Sequence, residues 1–499
     1  MFANDCAIFS MSEKGLQNSI DLTSNFFENL GLPINTKKNN IMVFNKRGLG
    51  AKNFNLLNFV INGCPLEICD SYTYLGILFK PSGLFFAAQA ELYTKASKAW
   101  FSINHIIYQN KKMPIDHSLQ LVDLLVMPVG LYTAELLTLC TLPTSAFTNR
   151  VSVMKSWENY PLEKINQRAC RTILSVHRRA SRLACLGELG RYPSLLQGLL
   201  LSLKYNWYLG HKADKSNLVY KAYNEMIAIS NDTNDSWHSR AQTVQSLMGI
   251  ELHGGMTPDR VSNIIKKSLK SKFQIFWKNE INDLKIGQDN LPHNKLRFYA
   301  QLKSSFTREP YLDNVTNRNQ RSWLARLRTS AHSLAIERGR YSNVPLTERV
   351  CTYCSDTQPA ADTGSDTTTS VTGNREVDCE THFLARCSRF KFKRQCFLKR
   401  LECLIPTVGN MSESDLVKTI LCPATRQIAK LVDKFIGIMF KSRADIDLGN
   451  DPCIYPTWEP NKPNPFKEYD VDNDDETHHL SDVDPTTYSS DDLDDSLLS

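Results

Sequence analysis

The stretch from about 86 to 345 constrains the fold of this 499-residue chain more than any other part. Apolar residues recur through it at spacings of three and four, the period of a helix with one buried face. Glu91–Ile107, Leu119–Leu137 and Ile165–Leu174 each read as such helices, and Arg168, Arg171, Arg178 and Arg179 lie on or just beyond the third. A further helix is expected from Asn319 to Glu337, with Leu324, Leu327, Ala331 and Leu334 on one stripe. Arg321 and Arg328, seven residues apart, share a different face and read as an exposed basic stripe. Ile428, Leu431, Val432, Phe435 and Met439 mark another amphipathic helix. The predicted fold class is therefore mostly α.

A smaller α+β unit is expected before these helices. Cys6–Phe9 reads as a strand, and Ser12 as the cap of a helix carrying Leu16, Ile20, Thr23, Phe27 and Leu30 on one face. Gly31 reads as its C-terminal stop, Ile41–Phe44 as the next strand, and Tyr72–Leu78 as a short β segment.

Hydrophobic content of 42% and charged content of 22% suit a globular protein. No apolar run reaches the length of about 18 residues that a membrane-spanning helix needs, and no signal peptide is expected at the N-terminus. The 14 Cys are then expected as reduced thiols in an intracellular protein, nuclear or cytoplasmic, with some available for metal. The net charge of +7 hides an asymmetry, because residues 468–499 hold 12 acids and no Lys or Arg. Without them, 40 acids face 59 Lys and Arg, a body of about +19 that suits either a polyanion partner or a solvated basic surface. Two segments cannot bury a core: the Thr- and Ser-rich insert Thr357–Asn374, and residues 452–499, expected to be disordered.

Several short motifs follow one another in a recognisable order. Phe2-Ala3-Asn4-Asp5 is similar to the Phe/Tyr-x-Asp-Asp turn of polymerases, and by itself could be an ordinary turn. Gly31-Leu32-Pro33-Ile34-Asn35 is followed by Lys38 and the apolar Ile41–Phe44. Tyr72-Thr73-Tyr74-Leu75-Gly76-Ile77 comes next, then Glu188–Pro193 and Leu327–Tyr341. Taken in this order, over roughly residues 1–440, the chain resembles the reverse transcriptases of non-LTR (LINE-type) retrotransposons.

The resemblance carries specific expectations. Nucleotidyl transfer by two Mg²⁺ ions needs clustered carboxylates. In the family the first Asp of the turn is a metal ligand, assisted by an Asp far upstream. Here Asn4 stands in that position and only Asp5 keeps its charge, so Mg²⁺ binding and polymerase activity are expected to be lost. Lys38 matches the family's triphosphate-side lysine, although Asn39 replaces the usual Thr, and a solvated loop is the plain alternative. Tyr74, Leu75 and Gly76 match a primer-grip hairpin, where Gly permits close approach of a sugar-phosphate; a half-buried strand is the other reading.

Cys351-x2-Cys354 and His382-x4-Cys387 form two half-sites of the kind that close a tetrahedral zinc centre. The family carries such a pair, although here 27 residues separate the halves. Loop closure cost rises slowly with length, so the insert need not prevent it. Cys379 is a rival ligand, and ordinary reduced thiols are the alternative to any metal. A closed four-ligand site would be structural, and could position Arg386, Arg389, Lys391, Lys393 and Arg394 against RNA or DNA phosphates. No acid-plus-Lys cluster for an endonuclease stands at 400–450.

The expected organisation is a partial palm at 1–80, a thumb-like helical domain at 81–210 and a helical extension at 211–345. A zinc-binding element at 346–400, a helical segment at 401–451 and an acidic tail at 452–499 follow. The expected function is that of a truncated, inactive LINE-type reverse transcriptase, whose family activity is RNA-directed DNA polymerase. Expected partners are RNA or DNA of template-primer type, with no membrane and no small-molecule substrate. Two alternatives stay open: a nucleic-acid-binding module using the thumb and zinc region, and an inert relic.

Overall fold

The computed structural model describes residues 5–35, 38–44, 58–233, 235–283, 295–315, 317–354 and 376–447. Asn4, the insert Thr357–Asn374 and the acidic segment 452–499 lie outside the described residues. The described residues are mostly helical, with five short strands among those near the start of the chain.

The first helix, Glu13–Asn29, begins where Ser12 Oγ accepts the Gly15 N–H and ends at Leu30. Gly31 then turns left-handed at φ +69°, and the N–H groups of Gly31 and Leu32 close onto the carbonyls of Glu28 and Phe27. This is a Schellman stop, which needs a residue without Cβ strain at that point. Ile20 packs with Ile41, Phe59 and Ile61 in a small separate core. Cys64–Ile68 is the central strand of a three-stranded sheet, antiparallel to Phe59–Ile61 and parallel to Asn40–Ile41.

Two strand expectations are corrected here. Cys6–Phe9 forms no strand: Ile8 packs against the small core while Phe9 is exposed. Ile41–Phe44 contributes only Ile41, within Asn40–Ile41, because register with Glu67 and Ile68 ends there. The Tyr72–Leu78 segment folds as a hairpin, Tyr72–Tyr74 against Ile77–Phe79. Leu75 and Gly76 both take positive φ, as a two-residue turn matched to strand twist requires.

From Phe86 onward the helices share one hydrophobic cluster that runs from Ala96 to Phe440. It spans the segments read from sequence as thumb, extension, metal element and C-terminal helices. Two long periodic stretches are broken where a single helix was expected. Leu119–Leu137 breaks at Val126, just before Pro128, which cannot donate an N–H; a short helix Met127–Gly130 follows, and the chain restarts at Ala134 after a left-handed Thr133. The Asn319–Glu337 stretch is two helices, Arg318–Arg328 and Ala335–Tyr341. Between them Thr329 turns its hydroxyl back to the Ala325 carbonyl, Ser330 is left-handed at φ +54°, and Asp378 accepts the Ala335 N–H. Local polar side chains offer the backbone an alternative to continued helix. The last helix, Arg426–Asp447, buries Ile428, Val432, Phe435 and Met439. Among the described residues no single helix is long and apolar enough to cross a membrane.

Candidate metal centre

Two backbone pairings close the centre. Val350 and Val377 form an antiparallel bridge, with Cys351 N–H donating to Glu376 O and Asp378 N–H to Arg349 O, each at 2.9 Å. The chain thus leaves at Cys354 and re-enters at Glu376 beside its own starting point. The described residues on either side of that separation are thus held together by paired backbone.

His382 and Cys387 lie at the two ends of a wide turn. The residues His382–Arg386 form a single π-helical turn, and Cys387 N–H donates to His382 O at 2.7 Å, an i→i+5 bond. Such a turn brings residues five apart back to one side, as two ligands of one ion require. Phe383 and Leu384, between them, point into the core.

Four ligand atoms result, all within 4.8 Å of one another: the thiols of Cys351, Cys354 and Cys387 and one imidazole nitrogen of His382. Cys354 Sγ lies 3.5 Å from Cys351 Sγ, 3.4 Å from Cys387 Sγ and 3.1 Å from His382 Nε2, and Cys351 Sγ is 4.0 Å from Cys387 Sγ. A tetrahedral ion with metal–sulfur bonds of about 2.3 Å sets sulfur–sulfur spacings of about 3.8 Å. The cluster can hold a metal ion, and its donor set is compatible with zinc.

The surroundings orient these donors. Glu376 Oε2 sits 2.9 Å from His382 Nδ1, which leaves Nε2 turned toward the thiols. A carboxylate on the far nitrogen is the usual way a ligating imidazole is fixed. Hydrogen bonding from Cys387 holds the Cys351 thiol down to about 4 against the upward push of burial, while Cys387 is driven far up. Burial pulls His382 down, but its bonds to Cys351 and Glu376 outweigh this and raise it to about 9. A bound cation would therefore displace protons from both thiol and imidazole.

The centre is fastened to the helical body by buried charge. Arg443 of the last helix donates to both oxygens of Asp378 at 2.9 and 2.7 Å. Its guanidinium also lies 4.2 Å from the Tyr353 ring centroid, and Tyr353 Oη donates to Asp447 at 2.6 Å. Arg297 bridges Glu337 and Glu380, and His332 Nε2 lies 3.1 Å from Glu380 Oε1. These pairings carry no local signal in the sequence. Each joins positions tens of residues apart, and no local spacing announces them.

The remaining expected site residues fall as follows. Cys379 is not in the four-ligand group, and burial pushes its thiol up. Asp5 and Lys38 are exposed, and Tyr72 Oη donates to the Lys38 carbonyl at 3.2 Å, tying that loop to the hairpin. The hairpin tip is held in turn: Tyr132 Oη donates to Leu75 O at 2.9 Å, and Lys95 reaches Gly76 O at 3.4 Å. Tyr74 is half-buried in the same hairpin.

The exposed basic stripe of Arg321 and Arg328 is a correction, because both side chains are buried. Arg328 is paired with Glu188 and Glu309, and burial pulls Arg321 down to about 10. Arg394 is buried as well and donates to the Cys387 carbonyl. Arg386 is exposed but paired with Glu376 and Glu413; Lys393 bonds Ser442; Arg389 is half-buried, and Lys391 is exposed. Most of the basic run is thus engaged in holding the metal element to its neighbours.

A scan against family models finds no match to the chain, and searches of curated proteins and of solved structures find none either.

Proposed function

We propose that this chain is a nucleic-acid-binding part of a LINE-type reverse transcriptase, with a zinc ion in the Cys351, Cys354, His382 and Cys387 centre serving structure and not catalysis. The observation that carries the reading is the four-ligand cluster itself, with its carboxylate-backed imidazole. It stands at the position where the resemblance calls for it, downstream of a hairpin of the primer-grip type. Four protein ligands leave no open position for a reacting water or substrate, which makes the ion a clamp. The clamp joins the 346–400 element to the helices through Asp378 and Arg443.

Polymerase chemistry is not assigned to this chain. Asp5 is exposed, and the sequence has Asn4 where the family has a metal-binding Asp. The test has two parts on the full chain. Affinity for a primed RNA–DNA duplex should fall steeply with salt, and primer extension with Mg²⁺ should be absent. No binding at low salt would refute the reading, and templated extension would refute its non-catalytic half.

A further inference from the structure

The loop that follows the Pro161–Leu174 helix carries a cationic surface which the metal centre does not use. Ser175 ends the helix in the left-handed region, and Arg171 Nη2 and Arg326 Nε then hold the carbonyls of Ala180 and Ser175 at 3.4 and 3.3 Å. The loop's own Ala180 N–H donates to His177 O at 2.8 Å. Arg178 and Arg179 are exposed on this braced loop.

Two further elements bring charge to the same place. The Arg179 guanidinium lies 4.3 Å from the centroid of the Tyr341 ring, and Lys295 Nζ lies 5.7 Å from it. Lys295 also donates to Arg179 O and, at 3.1 Å, to Tyr341 Oη. The Tyr341 side keeps 46% of its surface open to solvent. Among the described residues no carboxylate pairs with Arg178, Arg179, Lys295 or Arg326, whereas neighbouring Arg182 has Glu158 at 3.8 Å. Burial, and then the charges of Arg179, Arg178, Lys295 and Arg326, hold His177 below its ordinary value.

We propose that Arg178, Arg179, Lys295 and Tyr341 form a docking surface for the phosphate backbone of a nucleic-acid strand. The inference rests on the nucleic-acid-binding reading above and gives that reading a location. Uncompensated cations repel one another, and a row of phosphates relieves this while releasing counterions. Arginine forks match phosphate oxygens, and an aromatic ring that orders two of the cations in advance lowers the entropic cost of binding. Arg321 and Arg328 are buried, and the basic run at Arg386–Arg394 is largely engaged, so neither is the source of this charge.

The test is fluorescence anisotropy of a labelled oligo(U) RNA, and of a primed RNA–DNA duplex, on the full chain and on Arg178→Gln/Arg179→Gln. Arg178→Gln alone serves as a second variant, since that side chain braces nothing; unchanged melting and metal content show that both variants fold. Loss of two phosphate contacts makes the slope of log affinity against log salt shallower by about 1.4–1.8. At low salt the double variant should bind about tenfold more weakly, and the single variant about threefold. Wild-type affinity and slope in both variants would overturn the surface while leaving the proposed function standing. No binding by the wild type would instead remove the proposed function, and the surface with it. If a peptide of residues 481–499 binds the patch and RNA does not, the partner is the chain's own acidic segment and the proposal is wrong.

Discussion

Arg328 and Glu188, 140 residues apart in sequence, form a forked ion pair with both side chains fully buried. Arg328 Nε and Nη2 each reach a Glu188 oxygen at 3.0 Å, and Nη2 also meets Glu309 at 2.7 Å. Tyr311 Oη donates to Glu188 at 2.8 Å, Lys303 pairs with Glu309, and Arg328 Nη1 donates to Leu421 O at 2.7 Å. Two acids and two cations thus balance, and the group ties together four distant stretches of chain. Removing one partner strands the other's charge in the core. Arg328→Met should cost about 3–5 kcal/mol, measured by urea denaturation. A loss under about 1 kcal/mol would mean that the pair is solvated.

Gly190 turns left-handed at φ +60° after the Arg182–Leu189 helix, and a Cβ there would lie 2.7 Å from the Arg308 backbone nitrogen. Backbone on that side cannot swing away as a long side chain could. Gly190→Ala should therefore lose about 2–3 kcal/mol by thermal melting, more than left-handed strain alone.

Asp433 is buried, one of its oxygens has no hydrogen-bond partner, and burial drives its carboxyl well above the ordinary value. The sign follows from linkage. Below about pH 4 the group is protonated in both folded and unfolded chains and costs nothing. As pH rises past the unfolded value, the unfolded state releases its proton first, and stability falls until the folded carboxyl also ionises. Asp433→Asn should remove this slope, so its gain over the wild type grows between about pH 4 and 7 in paired denaturation curves. A constant difference across that range would show that Asp433 is not held neutral.

The Glu376 carboxylate would act on a bound ion through His382, whose Nδ1 it backs. Glu376→Gln should keep the metal but bind it about 10- to 100-fold more weakly, read by competition with a chromophoric chelator. Unchanged affinity would deny Glu376 its orienting part.

Local features of this fold were legible in sequence because their causes are local. Ser12 and Gly31 bound the first helix by capping chemistry that spans only a few residues, and the four ligand positions are two short spacings that chelation requires. The fate of the arginines was not legible. Spacing places Arg321 and Arg328 away from the Leu324 stripe, but says nothing of what meets that second face. Glu188, far along the chain, and Glu309 meet Arg328 there, and Arg321 is buried as well, so a stripe that reads as solvent-facing is not exposed. The helix breaks just before Pro128 and at Ser330 were missed in a related way, since apolar periodicity continues across each interruption. Leu327–Tyr341 and Glu188–Pro193, which carry part of the family resemblance, contribute Arg328, Glu337 and Glu188 to buried ion pairs. In this chain those motif residues hold the fold together.

The most direct measurement is the metal content of the purified full chain by mass spectrometry, alongside Cys351→Ser, Cys387→Ser and Cys379→Ser. The proposed centre predicts about one zinc per wild-type chain, retained in Cys379→Ser and lost in the other two. A wild-type chain that takes up no zinc, or a Cys351→Ser chain that keeps it, would contradict the account.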